Sequence, residues 1–115
     1  MAVVYVRNMI GSSNIADTPA CRCSSWIEHW NYNNMLEEPY CCLACGKHPT
    51  GTNHMVGGHV QKVVRDSDGN FVLLQYDQTH YIVPICDLCN KKPGLIFPVN
   101  DEYLAQSSEK SCIHP

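Results

Sequence analysis

Two C-x-x-C motifs constrain this chain more than any other feature of its sequence. One pairs Cys42 with Cys45, and the other pairs Cys86 with Cys89. A C-x-x-C turn places two thiolates on one side of a metal ion without strain, and structural zinc takes four such ligands in a tetrahedron. Gly46 directly follows the first motif, where the turn favours a residue that tolerates positive φ. The paired motifs therefore predict a structural zinc site with four cysteine ligands, and the alternative is a set of free core thiols.

The cysteine content also bears on the cellular compartment. Eight cysteines in 115 residues are typical either of a secreted disulfide framework or of a metal-binding protein inside the cell. A secretory signal needs an apolar run of at least about seven residues behind a basic start, but Arg7 and Asn8 interrupt the opening run at residues 2–6. No stretch approaches the roughly 20 apolar residues of a membrane-spanning helix. We therefore expect a cytoplasmic protein with reduced thiols, without disulfides and with no membrane partner.

The charge and composition limit the classes of partner. The formal net charge is −3 at pH 7, whereas nucleic-acid binding usually shows as a basic excess on one face. Any contact with DNA or RNA would have to be local. Only 17% of the residues are charged while 44% are apolar, so a metal is expected to contribute to stability.

The length is that of a single domain, and we divide the chain into three segments. Residues 1–40 hold a short β-branched strand and a helix that Ser24 or Ser25 caps, with Trp26 and Trp30 on one face. Residues 41–99 hold both cysteine motifs. Residues 100–115 hold a last helical stretch, capped by Asn100, and a tail.

The middle segment combines short strands with a short helix. A hairpin is predicted around the Asp-Gly step within residues 66–70. A strand at residues 81–83 is predicted to end at Pro84, and a helix at residues 87–92 cannot pass Pro93. The predicted fold class is α+β, a small zinc-bound domain of the treble-clef or ββα-metal type with an N-terminal helix.

Residues 41–92 also carry a longer pattern. After the first C-x-x-C motif come GGHV at residues 57–60 and YIVPICDLCN at residues 81–90. This pattern resembles the His-Me finger (HNH) nucleases, especially their zinc-stabilised, endonuclease VII-like branch, in which an asparagine directly follows the last cysteine. The resemblance implies that His59 is the general base on water and that a catalytic divalent ion such as Mg²⁺ binds near Asn90. It also implies a DNA or RNA substrate, with Lys62 or Lys91 offsetting charge.

The chain departs from that family beside the histidine. The related enzymes usually have an acidic metal ligand directly before it, where this chain has Gly58. Asn90 alone is a poor site for Mg²⁺, which requires near-octahedral oxygen coordination, so His54, Asp77 or His80 would have to complete the site. Two hypotheses follow: a metal-dependent nuclease, or a catalytically inactive zinc-binding module that contacts protein or nucleic acid. A thiol redox role is weaker, because neither motif lies in the strand-to-helix context of a thioredoxin-like fold.

The other cysteines leave two questions open. Cys41 could replace Cys42 in the first motif with one more residue between the ligands, although we prefer Cys42. A second metal is a further candidate, although buried or surface thiols without metal are the commoner arrangement. Its candidate ligands are Cys21, Cys23, His29, Cys112 and His114.

Overall fold

The computed structural model of the protein describes residues 2–9, 25–34, 37–77 and 79–106. These residues form six strands, two short α-helices and one 3₁₀ turn at Asp101–Tyr103. The helices are α1 at Trp26–Asn33 and α2 at Asp87–Asn90. The strands, in chain order, are β1 at Val3–Asn8, β2 at Met55–Arg65, β3 at Phe71–Leu73, β4 at Tyr81–Cys86, β5 at Ile96–Asn100 and β6 at Ala105–Gln106.

All six strands belong to one antiparallel sheet, ordered β5-β1-β2-β4-β6, with β3 paired to the end of β2. The eleven-residue β2 is the central strand. Its Val60 lies opposite Asn8 of β1 and opposite Tyr81 of β4. The strands are rich in β-branched and aromatic residues, which favour a pleated and partly buried backbone.

The alternation of side chains along β2 divides the core between the two faces of the sheet. His59 and its partner Ile82 point to the face that α1 covers, where Ile82 packs against Trp30. We call this the helix face. Val60 points to the opposite face, where it packs with Val83 and Phe97 in the larger core.

Pro84 does not end β4, contrary to prediction. The Asp87 N–H donates to the His54 carbonyl at 2.9 Å, and the alternation of an antiparallel ladder then turns the backbone groups of Pro84 away from β2. Its carbonyl accepts from the Leu43 N–H at 3.2 Å on that side. The missing N–H of Pro84 therefore costs no bond to β2.

Several local predictions are confirmed. The Ser25 side chain caps α1 by accepting from the Glu28 N–H at 3.3 Å. The hairpin forms between β2 and β3, where the Asp66 carboxylate accepts from the N–H groups of Asp68 and Asn70, both at 2.9 Å. Asn100 caps a single helical turn.

The predicted fold class, an α+β domain of the treble-clef or ββα-metal type with an N-terminal helix, is wrong. The described residues are dominated by one antiparallel sheet, and the two α-helices have only eight and four residues. Two features account for the difference. The strand predicted in the N-terminal segment, β1, lies inside the sheet between β2 and β5. The helix α2 has only four residues and is too short to form the helix of a ββα unit. The division into three segments stays a prediction.

Among the helices of the described residues, none has both the length and the apolar character needed to cross a membrane.

Candidate metal centre

The sulfur atoms of the two C-x-x-C motifs converge on one point. The Sγ atoms of Cys42, Cys45, Cys86 and Cys89 all lie within 4.8 Å of one another, and those of Cys45 and Cys86 are 3.9 Å apart. Tetrahedral zinc with Zn–S bonds of about 2.3 Å separates its sulfur ligands by about 3.8 Å. The four cysteines therefore form a cluster that could bind a metal such as zinc.

The first pair is held by a turn and by its contact with β4. The Gly46 N–H donates to the Cys42 carbonyl at 2.8 Å, and Gly46 has a φ of 76°, as the motif predicts. The Cys42 N–H donates to the Lys47 carbonyl at 2.9 Å, which closes the turn. The bond from Leu43 to Pro84 then fixes this turn beside the strand that ends at Cys86.

The second pair is held by the segment that leads into β2. Cys86 ends β4 and Cys89 lies in α2. The Asp87 N–H donates to the His54 carbonyl at 2.9 Å, and the Leu88 N–H donates to Asn53 Oδ1 at 2.8 Å. Residues 53 and 54 therefore set the position of the first turn of α2.

The environment of the sulfur atoms suits thiolates that share a cation. The N–H groups of Ala44 and Cys45 point at Cys42 Sγ at 3.3 and 3.4 Å. Burial alone would raise the pKa of Cys86, but hydrogen bonds from the Cys89 backbone and Asn53 lower it to about 7. Burial raises the pKa of both Cys42 and Cys89. A bound cation would offset the cost of ionising these buried neighbouring thiols.

A residue that the sequence analysis missed, Asn8, ties β1 to the second pair. Its Nδ2 group donates to the carbonyls of Cys89, Asn90 and Lys92 at 3.2, 2.9 and 3.0 Å. Its backbone also donates to Leu95 at 2.8 Å. Asn8 is only 2% exposed, and its Oδ1 has no hydrogen-bond partner among the described residues. The only hint in the sequence is an asparagine at the end of an apolar strand.

The alternative ligand Cys41 lies outside the four-sulfur cluster. Its Sγ is 3.8 and 3.9 Å from the two ring nitrogens of His48. The five described cysteines are free thiols, with no disulfide among them.

The candidate second metal site falls largely outside the described residues, where Cys21, Cys23, Cys112 and His114 lie. His29 is described and is fully buried. Its Nε2 is 2.9 Å from the Gln106 carbonyl, and its ring meets that of Trp26 edge to face. His29 therefore has a packing role in the core.

The two residues predicted to be catalytic lie on opposite faces of β2. His59 is 8% exposed on the helix face, with its ring centroid 4.2 Å from that of Trp26. Burial, with smaller contributions from His80 and His29, lowers its pKa to about 4. A Cβ atom at Gly58 would lie 3.4 Å from Asn90 Oδ1. Because Gly58 and His59 point to opposite faces, Asn90 reaches the face that His59 does not.

The charged residues of the hypothetical nuclease site are paired within the fold. Lys62 Nζ lies 2.9 Å from Asp77 Oδ2, which also accepts from the Tyr81 hydroxyl at 2.7 Å. These two contacts hold the pKa of Asp77 well below its usual range. Lys91 pairs with Asp87 at 2.9 Å, one turn away on the helix. Each of the two lysines therefore has a carboxylate partner within the fold, and its position needs no bound phosphate to explain it.

No protein-family model, no curated protein and no solved structure matches this chain. The resemblance to His-Me finger nucleases therefore depends on the motifs alone and stays a prediction.

Proposed function

We propose that the four-cysteine cluster holds one structural zinc ion and that the chain is a zinc-stabilised binding module. The observation that carries the proposal is the convergence of four Sγ atoms within 4.8 Å. Four thiolates complete the tetrahedral shell of zinc, whereas catalytic zinc sites keep one position for water or substrate. The donor set therefore favours a structural role for the metal.

The connections of the cluster support the same role. The first cysteine pair contacts β4 through Leu43 and Pro84, and the second contacts β1 through Asn8. Zinc would join segments that are more than 40 residues apart in sequence (45 to 86). Because such a site does not exist in an unfolded chain, the free energy of metal binding becomes free energy of folding.

The surroundings of His59 favour a binding module over a hydrolase. A general base works best with a pKa near the working pH, whereas burial lowers that of His59 to about 4. Its ring also packs beneath Trp26 on the face away from Asn90. Without a shared cleft, the two residues would have no common phosphate to act on.

Metal analysis of purified protein tests the zinc proposal. We expect one zinc per wild-type chain and cooperative unfolding when a strong chelator removes it. Cys86→Ser should lose both the metal and the fold, whereas Cys41→Ser should keep both, because Cys41 lies outside the cluster. A metal-free protein that is folded, or a fold that persists after complete zinc removal, would contradict the proposal.

The nuclease hypothesis has a separate test. Zinc-loaded protein is incubated with plasmid and RNA in Mg²⁺, Mn²⁺ or Zn²⁺, beside His59→Ala. The binding-module proposal predicts no cleavage by either protein. Cleavage that His59→Ala lowers by about 10²–10⁴-fold, the usual effect of removing a general base, would restore the nuclease hypothesis.

A further inference from the structure

One member of the four-cysteine cluster differs from the other three in its exposure. Cys42, Cys86 and Cys89 are each only 2% exposed, whereas Cys45 is exposed. Cys45 ends the first C-x-x-C motif, and the exposed Gly46 follows it. A small reagent in solution therefore reaches the cluster most easily at the Cys45 sulfur.

Within the first motif, the hydrogen bonds also distinguish Cys45 from Cys42. Two backbone N–H groups donate to Cys42 Sγ, at 3.3 and 3.4 Å. No N–H group of the described residues donates to Cys45 Sγ, whose described contact is with Cys86 Sγ at 3.9 Å. Hydrogen bonds stabilise a thiolate and weaken it as a nucleophile. Of the two sulfur atoms, that of Cys45 is therefore both the more accessible and the more nucleophilic.

Cys45 is held in its reactive form when the cluster binds zinc. A cysteine that coordinates a metal is a thiolate, and the thiolate is the form that peroxides oxidise. A free thiol with the ordinary pKa of about 8.5 is mostly protonated at neutral pH. Susceptibility to oxidation follows thiolate character and exposure, and Cys45 has both in the zinc-bound protein.

We propose that Cys45 is the site at which hydrogen peroxide oxidises this protein, and that the oxidation releases the metal by joining Cys45 to Cys86. The inference rests on the proposed function, because it requires bound zinc. The two Sγ atoms are 3.9 Å apart, so they must approach by about 2 Å to reach the disulfide bond length of about 2.05 Å. Cys45 then acts as a peroxide sensor for the cluster.

The proposed reaction has two steps. The Cys45 thiolate attacks the peroxide, the O–O bond breaks, and Cys45 becomes a sulfenic acid while hydroxide leaves. The Cys86 thiolate then attacks the Cys45 sulfur, the S–O bond breaks, and a second hydroxide leaves. The two thiolates lose two electrons in total, and the peroxide gains them. Cys42 and Cys89 remain as ligands, which is too few for a structural zinc site.

Peroxide treatment of the zinc-loaded full chain tests the inference. Zinc release is followed with a coloured chelator that is too weak to take zinc from untreated protein. Samples taken during the reaction are denatured and alkylated, and the remaining thiols are located by peptide mass spectrometry. We expect Cys45 and Cys86 to lose their thiols with the half-time of zinc release, while Cys42 and Cys89 are still alkylated. A thiol reductant with added zinc should restore one zinc per chain.

Two variants separate the exposed ligand from its neighbour in sequence. Cys45→His removes the exposed thiolate but keeps a fourth ligand, because three cysteines and a histidine also hold structural zinc. It should release zinc at least about tenfold more slowly in peroxide. Cys41→Ser is the matched control, because Cys41 is half-buried beside the motif and lies outside the cluster, and it should release zinc at the wild-type rate. If Cys45→His fails to bind zinc, the location of the oxidised thiols in wild type still decides the question.

The outcomes distinguish this inference from the zinc proposal. Folded protein that keeps its zinc in peroxide, or that loses it as a different pair of cysteines is oxidised, would overturn the oxidation site alone. Equal rates of zinc release from wild type and zinc-loaded Cys45→His would do the same. A wild-type chain without zinc would instead overturn the proposed function.

Discussion

Replacing Asn8 with alanine tests how strongly β1 and the second cysteine pair depend on one another. The Asn8 side chain donates to three carbonyls at the end of α2, at 2.9 to 3.2 Å, from a position that is 2% exposed. Its amide has two protons for these three acceptors. The carbonyls of Cys89 and Lys92 also accept from the N–H groups of Lys92 and Leu95, at 3.1 and 3.3 Å. The substitution therefore leaves the partly buried Asn90 carbonyl without a described donor and removes one of two donors from each of the others.

The magnitude follows from the cost of buried unsatisfied groups. An acceptor that loses its donor costs about 1–3 kcal/mol, so the one orphaned carbonyl should lower the free energy of unfolding by about 2 kcal/mol. Because the lost bonds hold the turn that carries Cys89, zinc retention should weaken as well. If the whole loss passes to the metal-bound state, a chelator should compete about 30-fold more effectively, since 1.4 kcal/mol is a factor of ten.

Denaturant unfolding of the zinc-loaded proteins measures the first effect, and competition with a coloured chelator measures the second. Asn70→Ala is the matched control, because Asn70 is an exposed loop residue beyond the end of β2, and we expect no change in either measurement. A loss of less than about 1 kcal/mol in Asn8→Ala, below the cost of one unsatisfied group, would refute the reasoning. A stability loss with unchanged zinc retention would show that Asn8 supports the sheet but not the metal centre.

Two further predictions concern the packing of α1 on β2. Gly57→Ala should lower the free energy of unfolding by about 1–3 kcal/mol through overpacking, because the new Cβ would lie 2.5 and 2.7 Å from backbone atoms of Trp26 and Ile27. Gly51→Ala is the control, because its new Cβ would meet no described atom within 4 Å. Equal denaturant midpoints for Gly57→Ala and wild type would contradict the contact. Lowering the pH should destabilise the protein between about pH 6.5 and 4, because the pKa of His59 is about 4 in the folded protein against 6.5 for the unfolded chain. Below pH 6.5 the unfolded state binds a proton that the folded state does not, so the loss grows to at most about 3 kcal/mol near pH 4. Thiol protonation acts in the same direction, so the measured quantity is the difference in pH dependence between wild type and His59→Gln; identical profiles would exclude this role of His59.

The features that the sequence predicts are those set by neighbouring residues. A C-x-x-C turn fixes the relative position of its own two thiolates, so the pairing of Cys42 with Cys45 is evident from spacing alone. The cap at Ser25 and the turn at Asp66 likewise depend on residues within four positions along the chain. In each case the physical cause is a short-range hydrogen bond or a tight turn.

The features that the sequence does not predict depend on distant pairing. Nothing within the opening strand indicates that Val6 will lie opposite both Lys62 and Phe97, and this placement changes the fold class. Asn8 is missed for the same reason, because its three acceptors follow more than 80 positions later. The prediction that Pro84 ends its strand is wrong for a similar reason. The cost of proline in a strand depends on which neighbouring strand its nitrogen faces, and the register of the sheet determines that direction.

The metal centre lies beside the start of β2. Asn53 and His54, which directly precede β2, accept hydrogen bonds from the α2 residues Leu88 and Asp87. Asp87 and Leu88 are held between the two ligands Cys86 and Cys89. Among the described strands only β4 pairs with the first residues of β2, so few of the described contacts oppose local opening of this strand end. Zinc bound by the four cysteines would anchor this end of the strand.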